Sequence, residues 1–573
     1  MQIKGQTIKK DYALILDTFI IGIIGSVCAQ IFIVLLHFIS KFSLEYLVGY
    51  LPQDTLKLLE SYQHSGEFNN LMLIAVIVSG GLISGFLVYT FAPEAEGHGT
   101  DTVIRAFHRQ GGYIRWIVVP VKILASAITI GTGGSAGREG PTALFSAGVG
   151  SGYSDLRKVG WKRRQIYVLI GMASGLSAVF KAPLGTSIFA IEVLYADNEF
   201  ETRELIYLLF GPLIAYMITG FLFGWEPIFY VPEINITDLK TYLEIVFLGI
   251  MSGMIALVLP NIFYGIRDFF RSLPVKPHFK PAIGAFVVGI IAIYFPEVLG
   301  GGYGFIQESI NGNMIGMFVI FLMIAKIFAF SFTVGSGGSG GVFAPSLFIG
   351  AMLGAFLGSS LHAPVAAFVV IAMAAVFGAA ARTPLATIVM VVEMTGGYSL
   401  LAPTTLGVLS AYIVHNILVR VIKPKYISLY EAQLLNKEYS ISYQMDRVRD
   451  ILICHSKILN LKKAVIQRDD IIALLENGEA VEIGENKYVF FGTFTKEVKL
   501  SDGEMFKKYR GAEILYVFRN GRWLHNSVIT SIKEGDEVLL IAKKEVIDII
   551  KNEFVPISQT FAKLRIQEES INN

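Results

Sequence analysis

Two stretches decide the fold: Gly131-Thr-Gly-Gly-Ser-Ala-Gly-Arg-Glu-Gly-Pro141 and Gly335-Ser-Gly-Gly-Ser-Gly-Gly-Val-Phe-Ala-Pro345. The second stretch begins 204 residues after the first, and each interrupts an apolar segment with glycines. Non-helical backbone survives at membrane depth only where protein buries it or where it lines a cavity. Two matching interruptions therefore predict two repeats with broken helices.

A second pair of similar motifs supports the same repeat. Pro183-Leu-Gly-Thr precedes Glu192 as Pro384-Leu-Ala-Thr precedes Glu393, at an offset of 201 residues. Two repeats of about 200 residues predict a pseudo-symmetric transporter with its site at the repeat interface. Because the two glutamates occupy equivalent positions, we expect a structural role for Glu192, as a carboxylate that satisfies buried backbone groups.

The composition is that of a membrane protein. Of 573 residues, 53% are hydrophobic and 16% charged, against about 25% charged in soluble domains. The net charge of +2 offers no basic face for nucleic acid. Five uncharged runs have the length of a spanning helix; they are Thr18–Ser40, Phe68–Pro93, Leu205–Trp225, Ile245–Ile266 and Met394–Val419.

Basic residues at both ends of this apolar part predict its orientation. Lys4, Lys9 and Lys10 precede the first run, and Lys423 and Lys425 follow the last. Positive residues favour the cytoplasmic side. We expect both termini in the cytoplasm of a prokaryotic cell, with the protein crossing the cell membrane several times.

After about residue 435 the composition becomes that of a soluble domain with alternating β patterns. Asn520-Gly521 is a strong hairpin signal between two such patterns. The predicted fold class is an all-α polytopic membrane protein of two inverted repeats plus a small α+β cytoplasmic domain. The expected parts are a membrane domain at 1–435 (halves 10–230 and 240–435), a linker with β-rich sequence at 436–498 and a regulatory domain at 499–573.

Several motifs resemble the signatures of one family. Gly137-Arg-Glu-Gly-Pro141, Gly341-Val-Phe-Ala-Pro345, Pro120-Val-Lys122 and Ser428-Leu-Tyr-Glu431 are similar, in that order, to motifs of the CLC chloride channels and transporters. The resemblance covers about residues 10–435. It implies the CLC fold, chloride as the transported ion, and a homodimer in membrane lipid with one anion pathway per subunit. Required cofactors and metal ions are not expected.

The resemblance also implies site residues. The backbone amides of Val342 and Phe343 and the hydroxyl of Tyr430 would hold a central anion. Helix starts supply free N–H groups and partial positive charge without a trapping full charge, and the amides around Arg138 and Gly140 are of the same kind. From the residues alone, Phe343 is equally well a packed aromatic, and Tyr430 an interfacial tyrosine.

Two charged residues in apolar surroundings are further candidates. An acid within an apolar segment indicates function, and the resemblance makes Glu139 the gate, whose carboxylate competes with the anion until it is protonated. An ion pair between Glu139 and Arg138 is the structural alternative. Lys122 would contribute positive potential to the pathway, or it would be a lysine that snorkels from a helix end.

Two departures from the family pattern matter. Gly97-His-Gly-Thr-Asp101 stands where the family usually has Gly-Ser-Gly-Ile-Pro. We therefore expect His98 and Gly99 at the anion site, with the imidazole either donating to the anion or turned away; selectivity between chloride and nitrate stays open. Val193 stands where antiporters generally carry a proton-relaying glutamate. This absence favours a passive, glutamate-gated chloride channel, with chloride/proton antiport as the alternative.

The C-terminal sequence resembles a different module. Leu515-Tyr-Val-Phe-Arg-Asn-Gly and Ile532-Lys-Glu-Gly-Asp-Glu-Val-Leu-Leu-Ile541 are similar to the C-terminal subdomain of RCK (TrkA-C) modules. That likeness implies a dimerising domain that binds a small-molecule regulator such as a cyclic dinucleotide, or one that dimerises without a ligand. An enzyme is not indicated, because the apolar part has neither a nucleophile elbow nor metal-ligand spacing of His and Glu.

Overall fold

The computed structural model describes residues 2–50, 69–195, 205–434, 480–484, 487–494, 498–499, 512–519, 522–525, 531–550 and 554–555. Its contacts divide the chain into two compact units, Met1–Leu435 and Asn436–Asn573. Each unit has an apolar core of its own.

The first unit is helical. Its described part contains α1 (Gln2–Ser40), α2 (Asn70–Phe91), α3 (Thr100–Arg109), α4 (Val118–Gly131), α5 (Glu139–Leu156), α6 (Trp161–Phe180), α7 (Pro183–Glu192), α8 (Leu205–Phe223), α9 (Leu239–Ser272), α10 (Lys280–Tyr294), α11 (Tyr303–Ile310), α12 (Met317–Gly335), α13 (Phe343–Ser360), α14 (Val365–Ala380), α15 (Pro384–Thr395) and α16 (Leu401–Ile422). Within these ranges, seven helical segments are long and apolar enough to cross a membrane. The architecture is that of a multi-pass membrane protein, as predicted.

The two broken helices meet at their glycines. Gly137, between α4 and α5, and Gly341, between α12 and α13, form an antiparallel bridge. The N–H of Gly137 donates to the Gly341 carbonyl at 2.8 Å, and the N–H of Gly341 donates to the Gly137 carbonyl at 2.6 Å. A Cβ on Gly341 would stand 2.7 Å from the backbone nitrogen of Gly140 and 2.9 Å from the carbonyl oxygen of Gly137. Glycine is required here because the two repeats approach each other through their backbones.

A second pair of repeat contacts is reciprocal. Glu192, at the end of α7, accepts hydrogen bonds from the N–H groups of Leu385 and Ala386 at the start of α15 (3.1 and 2.7 Å). Glu393, near the end of α15, accepts from Leu184 and Gly185 at the start of α7 (3.2 and 2.8 Å). Each glutamate satisfies helix N–H groups that have no intrahelical partner. The expected structural role of Glu192 is confirmed.

One predicted span has different bounds. The uncharged run Met394–Val419 does not form one helix, because α15 ends at Thr395 and α16 begins at Leu401. Gly396 lies between them with φ +62°, a left-handed conformation that terminates helices. Hydropathy alone did not reveal this break, since the residues on both sides are equally apolar.

The second unit is a small mixed domain. Its main sheet has the order β1 (Val481–Gly484), β2 (Lys487–Phe494), β7 (Glu537–Lys543), β4 (Glu513–Arg519) and β5 (Arg522–His525), with β8 (Phe554–Val555) on β2. A separate pair joins β3 (Val498–Lys499) to β6 (Ser531–Ile532). Helix α17 (Lys544–Ile550) follows β7.

The predicted boundary between the linker and the regulatory domain, at residue 499, is not a structural boundary. Strands from both sides of it pair in the same sheet. β2 pairs antiparallel with β7 from Lys487 opposite Lys543 to Thr493 opposite Glu537. The alternating patterns on both sides of the boundary need each other, because a short isolated strand pair is marginal in water. β4 and β5 pair with Arg519 opposite Arg522, as a two-residue hairpin requires. Asn520-Gly521 itself lies outside the described residues.

Candidate anion site

The starts of α3, α5 and α13 converge on the paired glycines. The N–H of Gly340 donates to the carbonyl of Gly97 at 3.2 Å. A Cβ on Gly140 would stand 2.1 Å from the carbonyl oxygen of His98 and 2.9 Å from Cα of Gly341. Three helix N-termini therefore surround one place, and each directs free N–H groups and partial positive charge towards it. Such a place suits a small anion.

Glu139 is buried at this convergence, with 1% of its surface exposed. Its carboxylate accepts a hydrogen bond from the hydroxyl of Tyr303 and lies beside the N–H of Ala344 in the first turn of α13. Nε of Arg138 is 3.9 Å from the carboxylate, and the Arg138 guanidinium lies 4.7 Å over the Tyr303 ring. The ion pair with Arg138 exists at this longer distance beside the shorter contacts. The carboxylate itself thus occupies an anion position at the start of α13.

Phe343 and Tyr430 are both buried, with 3% and 2% of their surfaces exposed. The Phe343 ring packs 4.5 Å from Phe180 and 4.1 Å from Phe377, centre to centre. Phe343 begins α13, after the N-cap residue Val342, so its amide lies at a helix start while its ring packs in the core. The packed aromatic ring is confirmed, and the role of the Phe343 amide in anion binding stays a prediction. Burial excludes the alternative of Tyr430 as an interfacial residue.

Lys122 clamps the turn that carries His98. Its ammonium donates to the carbonyls of Ala95 and Gly97 at 2.8 and 2.7 Å, and its side chain is fully buried. The alternative of a snorkelling lysine is wrong, because the charge is held inside the protein by two carbonyls. Gly99 belongs to the same turn, and a Cβ there would stand 2.8 Å from the Gly140 carbonyl and 3.2 Å from Cε of Lys122.

The second repeat contains the same clamp. Lys326, 204 residues after Lys122, is also fully buried and donates to the carbonyls of Val298 and Gly300, both at 2.8 Å. Lys326 was not among the predicted site residues, although the repeat offset leads directly to it. Tyr303 was also missed. It follows Gly300 as Thr100 follows Gly97, but no motif marks it as a partner of Glu139.

His98 faces a carboxylate from its own helix start. Its Nε2 is 3.1 Å from Oδ2 of Asp101, and its ring centre is 5.6 Å from that of Tyr430. The side chain of Thr100 hydrogen-bonds the Tyr430 hydroxyl. The imidazole is therefore neither turned out of the protein nor isolated. It lies beside the tyrosine that the resemblance assigns to the central anion.

Val193 is fully buried and follows the last residue of α7. An aliphatic side chain cannot carry a proton, so nothing at this position relays one. Asp197 and Glu199, the next acids along the chain, lie outside the described residues. If protons pass through the protein, the described groups that could carry them near Tyr430 are those of the His98 turn.

The comparisons with known proteins agree with this architecture. Residues 80–416 match the family model described as "Voltage gated chloride channel", which is more than half of the chain. The chain belongs to this family, the CLC family. It is a membrane protein of anion transport.

Named relatives come from bacteria and archaea. An H⁺/Cl⁻ exchange transporter, ClcA, of Vibrio campbellii is 28% identical over 413 residues, which is 70% of this chain and 85% of the relative. An uncharacterized protein of Methanocaldococcus jannaschii is 30% identical over 346 residues, 60% of this chain and 85% of the relative.

Solved structures share the CLC fold. A CLC-type fluoride/proton antiporter superposes with a TM-score of 0.63 at 22% identity, covering 74% of this chain and 98% of that one. A slow cyanobacterial Cl⁻/H⁺ antiporter gives 0.61 at 23% identity, with 73% and 95% covered. The predicted fold class is confirmed for the membrane part. The RCK-like character of the C-terminal unit stays a prediction.

Proposed function

We propose that this protein exchanges chloride for protons, and that Glu139 is the group that meets both ions. The observation that carries the proposal is the position of the Glu139 carboxylate at the start of α13, where it lies beside the Ala344 N–H and accepts from the Tyr303 hydroxyl. A negatively charged side chain already fills a place suited to an anion.

Competition at this place couples the two ions. Chloride and the ionised carboxylate both require the N–H groups and partial charge of the helix starts, so only one of them is held there at a time. A proton on Glu139 removes its charge and weakens its hold, which frees the place for chloride. Departure of the anion lets the carboxylate return after it gives up its proton. The amides of Val342 and Phe343 and the Tyr430 hydroxyl hold the anion at the central site.

The relatives favour exchange over passive conduction. The Vibrio proteins are named H⁺/Cl⁻ exchange transporters, and the cyanobacterial protein of the same fold is named an antiporter. The sequence favoured a channel because Val193 replaces the usual relay glutamate. That argument weakens if another titratable group takes its place, and His98 with Asp101 lies next to Tyr430. Passive conduction stays the second candidate, carried by Val193 alone.

The remaining features of the proposal follow from the sequence. The protein would work as a homodimer in a prokaryotic cell membrane, with both termini in the cytoplasm. Its C-terminal unit would respond to a small-molecule regulator, and we propose a cyclic dinucleotide. These features are independent of the exchange mechanism, so each has to be tested separately.

Uphill proton movement tests the proposal. Purified protein is placed in liposomes with a chloride gradient and no proton gradient, and external pH is recorded while chloride flows. An exchanger moves protons against their gradient at the expense of chloride. A channel brings the membrane potential to the chloride equilibrium value and moves no protons. Chloride flux without uphill proton movement would exclude exchange and support the channel.

A further inference from the structure

Asp101 places a carboxylate beside the proposed central anion site. Its side chain is 13% exposed. It accepts from the His98 ring and from the N–H of Ala432, both at 3.1 Å. The hydroxyl of Tyr264 lies 3.3 Å from the same carboxylate, and it donates its hydrogen to the Leu429 carbonyl at 2.7 Å. Two donors favour the ionised carboxylate. A fixed negative charge at this position opposes anion binding unless a positive charge compensates it.

The hydrogen bonds determine which nitrogen of His98 gains a proton. An ionised carboxylate only accepts, so Nε2 of His98 carries the hydrogen that faces Asp101. Nδ1 is buried and has no hydrogen-bond partner within the described residues. Protonation of the ring therefore takes place at Nδ1. It changes the net charge of the His98–Asp101 pair from minus one to zero.

The pair lies close to Tyr430 and to the start of α5. The His98 ring lies 5.6 Å from the Tyr430 ring, and the His98 carbonyl abuts Gly140 at the start of α5. With a neutral ring, the pair presents the negative charge of Asp101 to an anion at this place. With an imidazolium ring, it meets a neutral pair. Anion and proton therefore bind with positive coupling, and each must strengthen the other equally.

The second repeat shows that the turn does not need the pair in order to fold. Gly99 precedes α3 with φ +86°, and Gly302 precedes α11 with φ +82°. Lys122 and Lys326 clamp the two turns in the same way. Yet the second turn has Gly301 where the first has His98, and a glycine where the first has Asp101. A role in shaping the backbone therefore does not account for His98 and Asp101.

A polar chain leads from the pair to an exposed carboxylate. The Tyr264 hydroxyl, which contacts Asp101, also accepts from the N–H of Glu431 at 3.0 Å. Arg267 lies 4.3 Å over the Tyr264 ring and pairs with Glu431, whose side chain is 43% exposed. Polar groups therefore lie between the surface at Glu431 and the His98–Asp101 pair.

Other charged groups surround His98 on every side. The titratable and charged side chains from the elements packed around it are Asp101 and Arg105 of α3, Lys122 of α4, Glu139 of α5, Tyr264 and Arg267 of α9, and Tyr430 and Glu431 after α16. The proposed function already uses the titration of Glu139. The test therefore replaces Glu139 with a residue that does not titrate.

We propose that chloride enters the central site together with a proton on Nδ1 of His98. The His98–Asp101 pair then serves as the proton-binding group on the inner side of Glu139, which Val193 cannot be. The proton comes from water through the polar chain to Glu431 and returns to water when the anion leaves. This inference rests on the proposed function and adds a residue and a charge balance to it.

The test counts protons taken up with chloride. The Glu139→Gln variant provides the background, because its outer side chain no longer titrates. Chloride is titrated calorimetrically between pH 6 and 8 in two buffers of different ionisation enthalpy. We expect proton uptake of up to one per anion and a Kd that rises up to about tenfold per pH unit where the ring is neutral. His98→Ser and His98→Asn, each in this background, should give no uptake and a flat Kd.

Two further variants sharpen the test. His108→Gln changes another buried histidine of α3, whose Nε2 contacts the Leu194 carbonyl, and should retain the uptake. Asp101→Asn removes the fixed negative charge, so chloride should bind more tightly at pH 8 and vary less with pH.

Three results would overturn the inference. They are unchanged uptake in the His98 variants, no uptake in the Glu139→Gln background, and loss of chloride binding at every pH in folded His98 variants. Coupled flux in the wild type without uptake in that background contradicts this inference and leaves the proposed function intact. Uptake that depends on His98, in a protein without coupled flux, supports this inference and contradicts the proposed function.

Discussion

The hydroxyl of Tyr303, at the start of α11, donates a hydrogen bond to the carboxylate of Glu139, at the start of α5. The two residues belong to different repeats. Phe229 stacks on the Tyr303 ring at 5.7 Å, and Arg138 covers it at 4.7 Å. The ring is therefore fixed by packing, and it holds the Glu139 side chain at the start of α13.

Tyr303→Phe removes this donor and keeps the ring. A hydrogen bond to a charged group contributes about 1.5–3 kcal/mol, and it stabilises the ionised carboxylate in its place. We expect chloride flux to reach half its maximum at a pH about one unit higher than in the wild type. Chloride efflux from liposomes between pH 4 and 8 measures this shift. Tyr398→Phe, at an exposed tyrosine, is the control, and a midpoint shared by all three proteins would contradict the role of Tyr303.

Lys122→Met and Lys326→Met distinguish the structural role of these lysines, which is to hold a turn by its carbonyls, from a role in chloride binding. Each variant leaves two buried carbonyls unsatisfied, and we expect each to lower the free energy of unfolding by about 2–5 kcal/mol. If Lys122 also contributes potential to the pathway, Lys122→Met alone will weaken chloride binding. Thermal unfolding and calorimetry of both variants measure the two effects. Equal chloride affinity in the two variants would remove Lys122 from the pathway and leave it as a clamp.

Glu192→Gln and Glu393→Gln test whether Glu192 carries protons. The reciprocal caps predict similar losses of stability in both variants, about 1–3 kcal/mol, because each replaces an ionised acceptor of two N–H groups with a neutral amide. Proton coupling should survive in both. The measurement is the ratio of protons to chloride in liposomes. A ratio that falls in Glu192→Gln and persists in Glu393→Gln would identify Glu192 as a relay.

Truncation after residue 435 tests the C-terminal unit. The first unit has a core of its own, so we expect the shortened protein to fold and to carry chloride at the wild-type rate. Any response of flux to a panel of cyclic dinucleotides should be present in the full chain and absent from the truncated one. A folded truncated protein that carries no chloride would show that the C-terminal unit is structural.

The repeat made much of the fold predictable. The offset between Gly131 and Gly335 located both broken helices, and the equivalence of Glu192 and Glu393 predicted their role as acceptors of buried N–H groups. The same offset leads from Lys122 to Lys326. The break at Gly396 was missed, because Gly396 and Gly397 in an apolar run look like other glycines of membrane helices.

The partners across the repeats were not predictable from motifs. Tyr303 reaches Glu139 from 164 residues away, and only the fold brings them together. His98 and Asp101 are three residues apart at a helix start, a spacing at which side chains can meet, yet the pair departs from the family motif. Its chemistry had to be read from the contacts of Asp101 with Tyr264 and Ala432.

The most direct test of chloride/proton exchange at Glu139 records chloride and pH simultaneously in liposomes that contain either the wild type or Glu139→Gln. The account predicts that a chloride gradient drives protons uphill through the wild type at a fixed ratio. It also predicts that Glu139→Gln carries chloride without moving protons uphill. Chloride flux through the wild type with no uphill protons, or uphill proton movement that persists in Glu139→Gln, would contradict it.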